Sequence, residues 1–368
     1  MNLELLRLAH VRRVGVKGGA HIGQRRIFFV LDRATKKFPG SLALWLQYIE
    51  YAKKQKSHKK LSQIFSTALR LHPANPELWI HAANHALIER EDVTEARNYL
   101  QRGLRFKNQS KVLWIEFARL EMVYIDQISK RSRVLGLEEV ATKNPRTKRQ
   151  SEDEDLILLP NENNSDTALD TADQQALKAL ISTPVVSGAI AQAVYDSSMA
   201  IFPQDIELKT QIFDLFADFG ELSCAPKLCK YVSDDLTTTH PTTPEALSCR
   251  VRLPFIGIDP YGPEFAVALI GLLDSSKVSE DETLSIDACY HQATSALDKA
   301  NFASRTLLWI VPYLLMEGID DACVNVLRQV TRTVWHHFQV CTQGDASTED
   351  LNRLVKIKEL ICRCHLEE

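Results

Sequence analysis

The fold of this 368-residue chain is decided by residues 111–121, which read KVLWIEFARLE. The leucine–tryptophan pair in this stretch returns twice upstream, in LWIHAANHA and in LWLQYIEYA. The three tryptophans, Trp45, Trp79 and Trp114, stand 34 and 35 residues apart. A fixed period of this length is typical of proteins that stack one supersecondary unit per repeat.

Several other positions keep this period. The residue six before each tryptophan is Pro39, Pro73 or Asn108. The residue eleven before it is small, and an aromatic residue often stands three after it. These regularities define the predicted repeat anchors, which are Ala34, Pro39, Trp45, Tyr48, Ala68, Pro73, Trp79, Gly103, Trp114, Phe117 and Glu121.

Each period predicts two helices joined by a turn. Proline cannot continue a helix, so FPGS and HPANP separate the first helix from the second. Ser41, Asn75 and Ser110 are suited to cap the second helix, and the tryptophan then fills the space between helices. The small residue lets a neighbouring helix approach closely. One pair cannot bury its apolar face alone, so we predict an all-α solenoid of antiparallel helix pairs in two segments.

The second half carries weaker copies of the pattern. Around Pro203 the register recurs with Lys209 at the tryptophan position, and another candidate surrounds Trp309. The predicted organisation is a basic lead-in helix or turn at 1–26, an N-terminal repeat solenoid at 27–142, a polar linker at 143–183, and degenerate helical repeats with a cap at 184–368, interrupted by a Pro-rich loop at 237–263.

The tryptophan-centred pattern resembles the half-a-tetratricopeptide (HAT) repeat. Trp114, Phe117, Leu120 and Glu121 match that motif, whereas Ala52 and Ala86 replace its usual glutamate in the first two repeats. HAT repeats occur chiefly in RNA-processing proteins. The resemblance therefore implies a HAT/TPR-like scaffold in pre-mRNA or pre-rRNA machinery.

A narrower resemblance, over roughly residues 1–140, is to the family of U3 small nucleolar RNA-associated protein 6, a UTP-B component of the small-subunit processome. It rests on RRIFFVLDRATKKFP, IFSTALRLHPANPELWI and NYLQRGLRFKNQSKVLWIEFARLE. It implies a non-catalytic nucleolar scaffold needed for pre-rRNA processing to 18S rRNA and small ribosomal subunit biogenesis. The implied partners are processome proteins, including other UTP-B subunits, which are β-propeller proteins with helical tails. Family members carry a further segment before NLELLR, so we expect this chain to be N-terminally short.

Charge divides the chain into two halves. The whole chain has a net charge of −3, but residues 1–150 hold 29 basic and 13 acidic residues, whereas the remainder holds 15 and 34. The basic half predicts contact with an anionic partner, either pre-rRNA or U3 snoRNA or an acidic protein surface. The alternative is a set of solvated helix faces. The candidate contacts are Arg12, Arg13, Arg25, Arg26, Lys53, Lys54, Lys56, Lys59, Lys60, Arg102, Arg105, Lys107, Arg131 and Arg133.

Motifs for catalysis and cofactor binding are missing from the sequence. It contains no GxxxxGK[ST], GxGxxG or GxSxG motif. His81 and His85 have a spacing that can share a metal, but Ala82 stands where the metalloprotease motif needs glutamate, and no third ligand is near. We therefore expect no catalytic residue, metal, cofactor, small-molecule substrate or membrane segment.

Two other functions stay open. One is a HAT-repeat scaffold in pre-mRNA splicing or 3′-end cleavage, and the other is a tetratricopeptide-type peptide-binding module. KNPRTKRQ at 143–150 fits a nuclear-import signal or a soluble linker equally, and Ser151 before EDED suits phosphorylation or an unmodified polar tail.

Overall fold

A computed structural model describes residues 10, 19–134, 186–273, 285–316 and 318–342. Throughout these residues the regular structure is helical and no strand occurs, which confirms the predicted all-α fold. The chain divides into two compact units, Met1–Leu120 and Glu121–Glu368. The predicted linker at 143–183, Ser151 and the basic run 143–150 lie outside the described residues. The domain organisation predicted from the sequence therefore stays a prediction.

Six helices make up the regular repeats. They are α1 (Gly19–Lys37), α2 (Leu42–Lys54), α3 (His58–Leu71), α4 (Pro76–Glu89), α5 (Val93–Phe106) and α6 (Lys111–Val134). Each helix from α1 to α4 packs on the next along the chain. We call α1, α3 and α5 the A helices and α2, α4 and α6 the B helices, because Trp45, Trp79 and Trp114 all lie on B helices.

The turn residues act as the sequence predicts for α4. The side chain of Asn75 accepts a 3.0 Å hydrogen bond from the backbone N–H of Glu77, and Pro76 occupies the first turn of the helix. Asp92 caps α5 in the same way by accepting a 2.9 Å hydrogen bond from the N–H of Glu95. Ser41 occupies the capping position of α2 without a side-chain hydrogen bond. Local sequence therefore sets where these helices begin.

Eight further α-helices are described after residue 185. They are α7 (Ala189–Met199), α8 (Ile206–Asp218), α9 (Ala225–Thr239), α10 (Pro244–Arg252), α11 (Pro263–Leu273), α12 (Ile286–Gln292), α13 (Ala296–Leu314) and α14 (Asp321–Thr342), with a short 3₁₀ turn at Leu253–Phe255. A continuous apolar core joins α10 to α14 and includes Phe265, Phe302 and Leu327. None of the described helices is both long and apolar enough to span a membrane.

Two sequence-based expectations need correction. Helix α1 already runs from Gly19, so Arg25 and Arg26 belong to the first repeat helix and not to a separate lead-in. The stretch 237–263, expected as a Pro-rich loop, contains helix α10 and the 3₁₀ turn. The physical reason is that Pro244 stands in the first turn of α10, where its missing N–H costs no hydrogen bond.

Candidate partner-binding surfaces

The tryptophans join each B helix to the turn that precedes it. The indole N–H of Trp45 donates to the carbonyl of Pro39 at 2.9 Å, that of Trp79 to Pro73 at 2.8 Å, and that of Trp114 to Asn108 at 2.9 Å. The three rings are buried. The six-residue spacing seen in the sequence therefore has a structural cause, since a buried indole N–H needs an acceptor.

The small anchor of one repeat packs against the tryptophan of the repeat before it. A Cβ atom added at Gly103 on α5 would lie 2.9 Å from Cγ of Trp79 on α4. Phe106, one turn later on α5, stacks on the same indole with ring centroids 5.9 Å apart. At position 103 a small residue is therefore required by contact between neighbouring repeats rather than within one helix pair.

Lys209 takes the tryptophan position in the degenerate repeat of the second unit. Its side chain is 1% exposed, and its ammonium lies 2.7 Å from a carboxylate oxygen of Asp235 on α9. Tyr195 donates a 2.6 Å hydrogen bond to that carboxylate, and the Lys209 ammonium also donates to Thr239 at 3.1 Å. Burial and the Asp235 carboxylate raise the pKa of Tyr195 well above its usual range. A polar cluster thus replaces the indole, and we treat it as structural.

Positive charge in the repeats is concentrated on the A helices. Helices α1, α3 and α5 together contain eleven basic residues and two acidic ones, Asp32 and Glu95. The B helices contain seven basic and six acidic residues. The A helices therefore carry most of the net positive charge of these repeats.

Both acids of the A helices are already engaged. Asp32 lies 3.6 Å from the ammonium of Lys60 and 3.7 Å from that of Lys36, and it accepts a 3.1 Å hydrogen bond from Tyr48. Glu95 pairs with Arg90 and accepts a 3.0 Å hydrogen bond from Tyr99. Most basic side chains of the A helices therefore have no acidic partner on the A helices themselves.

The exposed basic residues of this row that make no ion pair among residues 19–134 include Lys37, whose ammonium lies over the ring of Phe38 at 5.3 Å from its centroid. We call the other such residues the A-row basic surface, and this set consists of Arg25, Arg33, Lys59, Arg70, Arg102 and Arg105. Arg33 and Arg70 are not among the contacts predicted from the sequence. The repeat period would have found Arg70, because Lys36, Arg70 and Arg105 each stand nine residues before a tryptophan.

The other predicted contacts within the repeats lie on a B helix or in turns. Lys53 is half-buried, and desolvation lowers its ammonium pKa. Lys54 pairs with Glu50 on the B helix α2 at 2.7 Å. Lys56 occupies the turn before α3 with a positive φ of 51°, and Lys107 is exposed just after α5.

Four of the predicted contacts fall outside this grouping. Arg131 and Arg133 lie near the end of α6, in the second unit, with Arg133 3.7 Å from Glu221. Arg12 and Arg13 lie outside the described residues. Of the predicted contacts, Arg25, Lys59, Arg102 and Arg105 therefore belong to the A-row basic surface.

The histidines and cysteines of the described part offer no metal or nucleophile site. No group of three His, Cys, Asp or Glu side chains lies close enough there to hold a metal. His85 is buried beside His58, with ring centroids 5.8 Å apart, and desolvation is the largest cause that lowers its pKa. Burial raises the pKa of the Cys229 thiol to about 12, which keeps it protonated and unreactive.

Comparison with known proteins supports the repeat assignment. The family model described as "Pre-mRNA-splicing factor Syf1/CNRKL1 N-terminal HAT repeat" matches residues 14–135. The chain is 37% identical over 139 residues to U3 small nucleolar RNA-associated protein 6 of Schizosaccharomyces pombe, which covers 37% of this chain and 28% of that relative. It is 31% identical over 120 residues to the human homolog, covering 33% of this chain and 20% of the relative.

A longer alignment reaches into the second unit. The Dictyostelium discoideum homolog is 26% identical over 234 residues, which covers 59% of this chain and 37% of the relative. The chain therefore spans well under half the length of each of these curated relatives. The HAT resemblance is confirmed for the segment that carries the three tryptophans. Residues 14–135 thus match a HAT-repeat family model, and the chain is similar to U3 small nucleolar RNA-associated protein 6 of Schizosaccharomyces pombe and to its human homolog.

Proposed function

We propose that the chain is a non-catalytic scaffold of the U3 snoRNP and small-subunit processome, needed for pre-rRNA processing to 18S rRNA. The observation that carries this proposal is the tryptophan-anchored HAT segment, whose similarity to U3 small nucleolar RNA-associated protein 6 extends over 139 residues. A stacked-helix solenoid suits a scaffold because it presents a long surface on which several partners can bind side by side.

The A-row basic surface supports contact with RNA. Its six side chains are exposed, carry no ion pair within the described repeats and lie on three successive A helices of one unit. Lysine and arginine side chains that neutralise phosphates release counterions, which gives affinity without reading base sequence. The proposed ligand of this surface is the phosphate backbone of pre-rRNA or U3 snoRNA.

The proposal includes a nucleolar location and protein partners of the processome. These partners include other UTP-B subunits, the β-propeller proteins with helical tails that the family resemblance implies. No step of this role needs a catalytic residue or cofactor of the chain itself, because holding partners and RNA in place is a binding function.

Affinity purification of the tagged 368-residue chain from nuclear extract tests the proposal. We expect U3 snoRNA, pre-rRNA and processome proteins to copurify. Alanine substitution of Arg33, Arg70 and Arg105 should reduce ultraviolet crosslinks to RNA while the protein partners are retained. Recovery of neither U3 snoRNA nor processome proteins would refute the assignment.

A splicing scaffold is the second candidate, since the matching family model is named after a pre-mRNA-splicing factor. The same purification separates the two functions. Spliceosomal small nuclear RNAs and their proteins would support splicing, and U3 snoRNA would support the processome. The similarity to several curated relatives named U3 small nucleolar RNA-associated protein 6 favours the processome over splicing.

A further inference from the structure

The second unit contains a cleft whose floor is apolar. Its cavity volume is about 840 Å³, and it lies between the end of α8, the turn that follows the 3₁₀ segment, and one face of α13. The apolar floor and walls are formed by Phe255, Ile256, Leu308, Trp309, Pro312 and Met316. A cavity of this size falls in the range that holds a ligand or several peptide side chains.

Aromatic packing holds the floor of the cleft in place. The ring of Trp309 meets Phe255 edge-on with centroids 4.9 Å apart, and Phe255 meets Phe265 in the same manner at 5.6 Å. Leu308 and Met316 flank this floor and remain 44% and 43% exposed. Large apolar side chains that stay exposed around a concave site are typical of an interaction surface.

The turn at one wall requires its glycine. Gly257 has a φ of +84°, and a Cβ atom there would lie 3.1 Å from the carbonyl oxygen of Gly220. The wall is therefore formed by a tight contact between two backbone segments. This geometry makes the Pro-rich stretch part of a preformed site, so little ordering cost remains when a ligand binds.

The basic side chains at the cleft are paired with acidic ones, whereas, among the described residues, two of its carboxylates are not in ion pairs. Arg252 pairs with Asp214 at 2.5 Å, and Arg133 lies 3.7 Å from Glu221, so both arginines have acidic partners. Asp218 and Asp259 also line the cleft and are exposed. In the described part of the unit neither of these two carboxylates makes an ion pair. The cleft therefore keeps a negative rim above an apolar floor.

We propose that this cleft binds a peptide segment of a partner protein that carries a large apolar side chain next to lysine or arginine. The apolar side chain would cover Trp309 and Met316, and the basic side chains would meet Asp218 and Asp259. Nucleic acid is disfavoured because its phosphates would face these carboxylates.

A positional-scanning octapeptide library, incubated with the full 368-residue chain, tests this specificity. We expect selection of Trp, Phe, Leu or Met at one position and of Lys or Arg at positions beside it. A fluorescein-labelled peptide made from the selected residues should bind at least tenfold more tightly than a copy in which glutamate replaces each basic residue. Selection of acidic residues, or no selection, would overturn the proposal.

Matched variants locate the binding to the cleft. Asp218→Lys combined with Asp259→Lys should weaken the labelled peptide at least tenfold, and Leu308→Asp should weaken it further. Asp234→Lys on the exposed surface of α9 is the control, and its affinity should equal that of the unmodified chain. Circular dichroism melting of each variant verifies folding. Equal affinities for the control and the cleft variants would place the peptide elsewhere and refute the site.

Discussion

Gly103 lies directly against the indole of Trp79, at a distance that no other residue type would fit without a shift. A Cβ atom at Gly103 would lie 2.9 Å from Cγ of Trp79 and 3.1 Å from its Cβ. These are the root atoms of the indole side chain and not its flexible end. The contact joins α5 of one repeat to α4 of the previous repeat, so it reports directly on repeat stacking.

We expect Gly103→Ala to destabilise the chain. Overpacking by a methyl group costs about 1 to 3 kcal/mol, which exceeds the gain of about 1 kcal/mol from replacing glycine in a helix. Gly271→Ala on α11 is the matched control, because no atom lies within 4 Å of its added Cβ and only the helix gain applies. Urea denaturation should show a lower free energy of unfolding for Gly103→Ala and a higher one for Gly271→Ala. A higher free energy of unfolding for Gly103→Ala would contradict the contact.

The turn carbonyls that accept from the tryptophans differ in whether they have a second hydrogen-bonding partner. The carbonyl of Pro39 accepts from Trp45 and also lies 2.7 Å from Nε2 of His72, whereas within the described repeats the carbonyl of Pro73 accepts a side-chain hydrogen bond from Trp79 alone. Trp79→Phe should therefore lose more free energy of unfolding than Trp45→Phe, by about 0.5 to 1 kcal/mol. Thermal denaturation compares the two, and equal losses would show that the hydrogen bond contributes little.

Lys209 and Asp235 should behave as a coupled pair. Lys209→Met removes the ammonium and leaves the Asp235 carboxylate beside Tyr195, at a cost of about 3 kcal/mol, the low end for a broken buried pair because Asp235 is partly exposed. Adding Asp235→Leu should recover at least half of the loss, since the unpaired charge is then absent. A double-mutant cycle measures this coupling, and additive losses would contradict it.

His85 should make stability depend on pH. Desolvation, followed by the nearby His58 and Lys53, lowers the pKa of His85, while Glu89 opposes the change. The folded chain therefore holds this proton less readily than the unfolded chain. Its contribution to the free energy of unfolding is complete above the ordinary histidine pKa of about 6.5 and is lost as pH falls below it.

Replacement of this histidine checks that dependence. The loss of stability between pH 7.5 and pH 5.5 should be smaller in His85→Leu than in the unmodified chain. Ile88→Leu, at an exposed position of the same helix, should follow the unmodified chain. Urea denaturation at both pH values gives the comparison, and parallel losses in all three proteins would rule out His85 as a cause.

The A-row basic surface should control the salt dependence of RNA binding. Each contact with a single-strand phosphate contributes a slope of about 0.7 in the logarithmic salt dependence. Alanine at Arg33, Arg70 and Arg105 should therefore reduce the slope by about 2. The control replaces Lys54, Arg119 and Lys130, which lie on B helices and already have acidic partners. Identical slopes for both triple variants would reject this surface as the RNA contact.

Local sequence accounts for the helices and their turns, because their causes are short-range. Proline and capping residues act on the backbone within a few residues, so the starts of α4 and α5 follow from Asn75 and Asp92 alone. The helix within the Pro-rich stretch 237–263 could not be predicted from local sequence in the same way. A proline can either end a helix or stand in the first turn of the next one. Only the packing of α10 against its neighbours decides that Pro244 begins a helix.

The sequence by itself determined the repeat, its period and the identity of its anchors, since these are regularities along one chain. The tertiary structure alone decided what the anchors touch. It placed Gly103 against Trp79 of the previous repeat, left arginines of the A helices exposed and without an ion pair among residues 19–134, and put Asp218 and Asp259 beside the apolar cleft. The physical reason is that these contacts join residues far apart in the chain, so their energies depend on how helices pack and not on their order.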